Sequence, residues 1–326
     1  MNNQLETLLQ QWYKQRDDYQ WLLATIVKTE GSSYRPSGAM MLFNDTGQQF
    51  GLVSGGCLES DLLKHARQCW QTGKAKRVQY DMREDGDLAW QLGIGCGGMV
   101  DLLLQPINPN NQYLCLPQVL ESLKNDQSCS FSQPLNNETP TAVVNQEVAA
   151  DWITHGLKPA PTVLVLGGGV DAQPVVELGA RLGWKMWVND PRARYARQVD
   201  FPTANKGSAT DPAVLADHHV LDSVTAVIVM HHNVELDAKA LSQLLRPELN
   251  HIGYIGLLGP RHRTDRVLVA AKLEYEEFNG RLANPIGLDL GGDLPESLAL
   301  AMLSEIHAWL NNKSGQSISL DLSVTP

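Results

Sequence analysis

The chain has 326 residues, of which 43% are hydrophobic and 19% charged, and its 26 Lys and Arg against 36 Asp and Glu leave a net charge of -10. That length exceeds what one hydrophobic core usually fills, so two domains are expected, and the negative surface argues against a nucleic-acid partner. No stretch approaches the roughly 20 apolar residues that cross a bilayer, and the N-terminus (MNNQLE) lacks the basic and apolar runs of a secretory signal, so a soluble, cytoplasmic protein is expected.

In chain order, residues 5–16 have the spacing of an amphipathic helix, and WLLATIVKT (21–29) reads as a buried strand. Strand-like runs follow at 39–44, 51–54, 76–82 and 99–104, with a helical period over 58–70 from Leu58, Leu62, Ala66 and Cys69. A helix at 119–124 and a short strand close this N-terminal, glycine-rich α+β domain, expected to cover residues 1–155. Linker-like clusters of Asn, Pro and Lys stand at 136–140 and 158–161. From residue 156 strands and helices alternate, with strands at 162–166, 186–189, 225–230 and 251–257, helices beginning near 172 and 236, and a long helix over 295–311. That alternation predicts βαβ units and a Rossmann-like parallel sheet.

Five cysteines (Cys57, Cys69, Cys96, Cys115, Cys129) are odd in number and never closer than 12 residues, so free thiols are expected and a cysteine-built zinc site is not. Two of them sit among glycines. In SGGCLE, Gly55 and Gly56 precede Cys57 at the expected start of a helix, whose dipole favours a thiolate while Glu59 and Asp61 oppose it. In GIGCGG, Gly95 and Gly97 flank Cys96 in a loop that exposes backbone amides to a bulky ligand. Small buried residues at crowded turns would use the same pattern. A third segment, GSSYRPSG (31–38), offers hydroxyls and the Arg35 guanidinium to a phosphate or pterin oxygen.

In the second half, TVLVLGGGVDA runs from a strand into Gly167-x-Gly169-x-x-Ala172, the arrangement that lets an anion approach the backbone at a helix N-terminus. About twenty residues on, Asn189-Asp190 ends the next strand, where such folds place an acid on a ribose hydroxyl. His231 and His232 follow the strand ending at Met230 and, with Glu235 or Asp237, have the chemistry of a metal site lacking a fixed third ligand. Arg261, in GPRHR, concentrates positive charge beyond another strand end.

The segments GSSYRPSGAMML, GLVSGGCLESDLLKHA, GIGCGGMVDLLLQP, GGGVDA, HHNVELD, GYIGLLGPRHR and NPIGLDLGGDLPESLALAMLSEI together resemble, in order, the xanthine dehydrogenase accessory protein family of XdhC/CoxI type. The resemblance spans residues 20 to 310. It implies a chaperone-like factor that binds molybdenum cofactor (molybdopterin), supports its sulfuration with a cysteine desulfurase, and inserts it into an apo-molybdenum hydroxylase such as xanthine dehydrogenase. The family's glycine-flanked cysteines match Cys57 and Cys96, which are expected to meet the molybdenum, and its Rossmann loop matches Gly167, Gly169 and Ala172. Members usually carry histidine after the second loop glycine, where this chain has Val170 followed by Asp171. A binding factor without turnover is the expectation, with a homodimer as the prior oligomeric state. The rival reading is an NAD(P)-dependent oxidoreductase built on the second domain, with His231 and Arg261 beside a nucleotide; a nucleotide serving only as a structural or regulatory ligand within the carrier is compatible with the first reading.

Overall fold

The computed structural model describes residues 4–56, 58–81, 97–136, 138–217 and 219–318. The chain forms two compact units, Met1–Ala160 and Pro161–Pro326.

In the first unit, helix α1 (Leu5–Tyr13) leads into β1 (Trp21–Glu30), the central strand of an antiparallel sheet. Strands β2 (Met40–Asn44), β3 (Gln49–Gly51), β4 (Lys76–Asp81) and β5 (Met99–Ile107) complete the order β3-β2-β1-β5-β4. Successive strand residues point to opposite faces, and both faces are covered, which is why β1 and β5 are apolar almost without interruption. Leu22, Ala24 and Ile26 pack toward helix α2 (Glu59–Thr72) with its Leu62, Ala66 and Cys69. Trp21 and Leu23 face α1 and helix α3 (Leu116–Lys124), which supply Leu9, Trp12, Val119 and Leu123. Each fully buried Leu or Ile contributes roughly 1.5–3 kcal/mol. A small antiparallel sheet follows, with β6 (Cys129–Pro134) between β7 (Val143–Val144) and β8 (Trp152–Leu157).

The strand expected at 51–54 is displaced: pairing ends at Gly51, and Val53 to Gly56 bend away to prepare the start of α2. The sequence pattern does not mark β7 and β8, because β7 is only two residues long and half of β8 is Thr, His or Gly without apolar alternation.

The second unit is a six-stranded parallel sheet of order β11-β10-β9-β12-β13-β14. Its strands are β9 (Thr162–Leu166), β10 (Lys185–Asn189), β11 (Lys206–Ser208), β12 (Val224–Val229), β13 (Tyr254–Leu257) and β14 (Leu282–Ala283). Helices α4 (Ala172–Arg181) and α7 (Pro295–Leu310) cover one face through Val175, Val176, Met302 and Ile306. Helices α5 (Val234–Leu244) and α6 (Arg261–Ala271) cover the other through Leu241, Leu244, Val267 and Leu268. This is the Rossmann arrangement, mixed with the antiparallel first unit into an α/β chain. The strand order reverses between β9 and β12, so the crevice beyond their carboxyl ends is where such a sheet accepts ligands. No helix among the described residues is long and apolar enough to cross a membrane.

Candidate functional site

Two regions gather the residues singled out above. In the first unit the segment that follows β1 touches both other glycine-rich stretches. Gly31 lies against Gly97 and Gly98: a Cβ on Gly31 would stand 3.2 Å from the Gly97 carbonyl oxygen. A Cβ on Gly98 would collide with the carbonyl oxygen of Ser32, so only glycine permits this approach. Farther along the same segment, the exposed Tyr34 ring lies against Gly55, with 3.6 Å from the Gly55 Cβ position to Cε2. Thus one loop joins the stretch before Cys57 to the stretch after Cys96. Cys57, Gly95 and Cys96 themselves lie outside the described residues.

The carboxylates expected to oppose a thiolate in this region are already engaged. Ser54 Oγ donates to Glu59 Oε2 at 2.6 Å, the Leu58 amide donates to the same oxygen at 3.1 Å, and the Gly56 amide donates to Ser54 Oγ at 3.2 Å. Asp61 accepts from the Tyr80 hydroxyl at 2.8 Å and pairs with Lys64 and His65. Burial works to raise the Asp61 pKa, but those hydrogen bonds and charges outweigh it and hold the group below the ordinary carboxylate range. The remaining cysteines behave as packing. Burial raises all three thiols, that of Cys69 to about 11, and Cys69, Cys115 and Cys129 are free.

In the second unit the glycine loop lies at the reversal point. A Cβ on Gly167 would stand 2.7 Å from the His231 amide nitrogen, and one on Gly168 would collide with the Tyr195 carbonyl oxygen. The loop is therefore clasped between the end of β12 and the short turn Ala193–Tyr195 that follows β10. Helix α4 begins at Ala172 with no side-chain cap on its first amides, an arrangement that favours an anion at that end.

Asp190 is fully buried, and both its oxygens are taken within the loop. Oδ2 accepts from the Gly168 amide at 3.0 Å and from Arg192 Nη2 at 2.7 Å, while Oδ1 accepts from Arg192 Nε at 2.8 Å and its amide at 2.9 Å. Burial opposes the charge, yet these donors hold the carboxyl below the usual range. The acid expected to read a ribose hydroxyl thus braces the glycine loop, and its ribose role would require the Arg192 pair to open.

The two histidines separate instead of sharing a metal. His231 is buried, and its Nδ1 donates to Asp237 Oδ1 at 2.8 Å, while Arg263 clasps the other Asp237 oxygen. Its Nε2 is buried and has no hydrogen-bond partner among the described residues. His232 takes a left-handed backbone, φ 55°, and its Nε2 donates to Asp171 Oδ2 at 2.6 Å, across the loop beside Gly169. That bond raises the His232 pKa. A guanidinium on Asp237 is incompatible with the metal arrangement drawn from His231, His232, Glu235 and Asp237, and no group of three or more metal-binding side chains gathers among the described residues. Arg261 is exposed at the first turn of α6. The sequence does not single out Arg192, and it shows Arg263 only as part of the positive GPRHR cluster, without its pairing to Asp237. Their signal was available only as charged residues beside strand ends, which most surface loops share.

Two stretches match known families: residues 163–306 match the XdhC Rossmann domain, and residues 15–81 match the XdhC and CoxI family. The chain is 29% identical over 315 residues to a probable xanthine dehydrogenase subunit from Bacillus subtilis, covering 89% of this chain and 93% of that one. It is 23% identical over 295 residues to the molybdenum cofactor insertion chaperone PaoD of Escherichia coli, covering 87% and 82%. A crystal structure of a xanthine dehydrogenase from Bacillus halodurans superposes with a TM-score of 0.82 at 29% identity, covering 97% of this chain and 98% of that one.

Proposed function

The chain belongs to the XdhC and CoxI family, and from that premise we propose that it is an accessory factor that carries molybdenum cofactor as cargo, supports its sulfuration and inserts it into a molybdenum hydroxylase. Its client in this reading is an apo-enzyme of the xanthine dehydrogenase kind, its sulfur source a cysteine desulfurase, its setting the cytoplasm, and its working form a homodimer. The relatives' names support the cofactor and the client class.

The observation that carries this reading is the contact of one loop with both cysteine-bearing glycine stretches, through Gly31 against Gly97 and Gly98 and through Tyr34 against Gly55. Thiolates of Cys57 and Cys96 suit a metal already held by dithiolene sulfur, because soft ligands favour soft partners. Amides of Gly55, Gly95 and Gly97 would meet the pterin, Gly56, whose own amide is held by Ser54, would let the cofactor approach the chain, and Arg35 would meet its phosphate. Carriage requires no turnover, so the protein acts by binding.

The test is anaerobic binding of molybdenum cofactor to the full chain and to Cys57→Ala and Cys96→Ala, with released pterin quantified by fluorescence after oxidation. Stoichiometric retention by the wild type, lost in at least one folded variant, is expected. Failure of every form to retain the cofactor sinks the carrier reading.

The uncapped start of α4 favours a second reading for the second unit alone, a phosphate-bearing ligand such as NAD(P) at Gly167, Gly169 and Ala172, with Asp190, His231 and Arg261 around it. As an oxidoreductase the chain would bind a nicotinamide dinucleotide saturably and change its absorbance with substrate. The engagement of Asp190 by Arg192 weighs against the ordinary ribose contact. Fluorescence titration with the reduced dinucleotide decides it, since no saturable binding removes this reading.

A further inference from the structure

Residues 35–39, at the turn between β1 and β2, meet β8 around a cavity of about 350 Å³ lined by Arg35, Ser37, Gly38, Thr154, His155 and Gly156. His155 is only 9% exposed, and among the described residues its buried Nε2 has no hydrogen-bond partner. On the other side of the ring, a Cβ on Gly38 would come within 3.1 Å of Nδ1. The missing side chain, at a backbone φ of +91°, is what leaves room in front of the imidazole.

The hydroxyls nearby are already bonded. Ser37 Oγ donates to the Val27 carbonyl at 3.1 Å, and Thr154 Oγ1 pairs with Ser132 Oγ at 2.8 Å. Among the described residues Arg35 has no carboxylate partner, it and His155 are the titratable groups lining the cavity, and no acidic side chain lines it. Burial lowers the His155 pKa, so near neutral pH the ring is neutral and carries one N–H, and an anion seated beside it would raise that pKa. An unpaired guanidinium and a buried imidazole around a void without carboxylates form a donor set, and its fitting occupant is a group made only of acceptors.

We propose that this cavity is an oxyanion site that seats the terminal phosphate monoester of the cargo, with Arg35 and His155 as its donors. The assignment rests on the carrier reading and adds His155, far in sequence from either cysteine stretch, to the residues that hold the cofactor. The cavity is larger than a phosphate group and leaves space for the carbon to which the ester is joined.

Inorganic phosphate, added to the full chain without cofactor, is the first probe, followed by proton NMR of the histidine Cε1–H resonances and assigned through His155→Asn. Saturable displacement of the His155 resonance with an upward shift of its titration is expected. Arg35→Met should weaken phosphate at least tenfold and Arg35→Lys less, because a lysine keeps the charge without the two-pronged donor. A His155 resonance indifferent to phosphate, or unchanged affinity in Arg35→Met with unfolding like the wild type, overturns the site. Anaerobic loading with cofactor then separates the two claims. Cofactor that excludes phosphate and raises the His155 titration supports the seat, and cofactor bound while phosphate still enters overturns it. If phosphate binds but cofactor never does, the oxyanion site stands and the carrier reading falls.

Discussion

Both units use glycine to bring backbone against backbone, but they recruit it differently. In the second unit three consecutive glycines, Gly167 to Gly169, form one turn and are clasped by Met230 to His231 and by Tyr195. In the first unit the touching residues, Gly31 and Gly98, come from the end of β1 and the start of β5, which are hydrogen-bonded neighbours far apart in sequence. A contiguous loop carries its own geometry, whereas the distant pair exists only because the sheet register aligns Glu30 with Met99. The lesson extends to charge. Arg263 of the second unit is only 18% exposed over the buried Asp237 beside His231, whereas Arg77 over the first unit's buried Asp101 is 41% exposed, as Arg192 over Asp190 is at 39%.

That difference in ion-pair burial sets the largest expected effect. Arg263→Met should cost about 3–5 kcal/mol, because it leaves the Asp237 carboxylate buried with only His231. Arg77→Met also strips Asp101 of its guanidinium donors, but water can enter where a 41% exposed guanidinium stood, so its cost should be smaller. Urea unfolding of both variants measures the contrast, and equal losses would erase it.

The glycine contrast comes next. Gly98→Ala and Gly168→Ala each force a Cβ into a carbonyl oxygen and should cost about 1–3 kcal/mol as the backbone shifts. Only Gly98→Ala should also weaken cofactor binding if the distant contact organises the cysteine stretches. Loss of cofactor binding in Gly168→Ala alone would reverse the assignment of the two regions.

A smaller effect distinguishes the units by pH. The Asp171 hydrogen bond raises the folded-state pKa of His232 above the ordinary value of 6.5, so the pair's stabilisation is full below 6.5 and is lost as pH rises through the raised value. Burial lowers the folded-state pKa of His155, so the unfolded chain takes up its proton first, and stability falls as pH drops from 6.5 toward the depressed value. Melting temperature against pH should therefore lose its alkaline slope in His232→Asn and its acid slope in His155→Asn. The same slope change in both variants would show that the two rings do not act as described.

The smallest effect is chemical. At pH 7.5 iodoacetamide should leave Cys69, Cys115 and Cys129 unmodified in the folded chain, since burial raises all three thiols. Mass spectrometry of the digested protein reads this directly, and rapid labelling of Cys69 would contradict its place in the core between α2 and the sheet.

Residue pattern alone was enough to determine the Rossmann unit, because an apolar strand, a glycine turn and a helix start are consecutive and each has a local physical cause. It also placed α1, α2 and β1, and Cys69 on the buried face of α2, because their burial shows as periodicity. Only the tertiary structure decided which glycine stretches meet, that Asp190 braces the loop through Arg192, and that His231 and His232 turn to Asp237 and Asp171 in place of a shared ligand. His155 is the clearest case: it sits on a short strand without apolar alternation, and nothing near it in sequence announces Arg35 or the void at Gly38. Local structure follows from neighbouring residues, whereas partners distant in sequence are chosen by sheet register and helix packing, which a linear pattern does not encode.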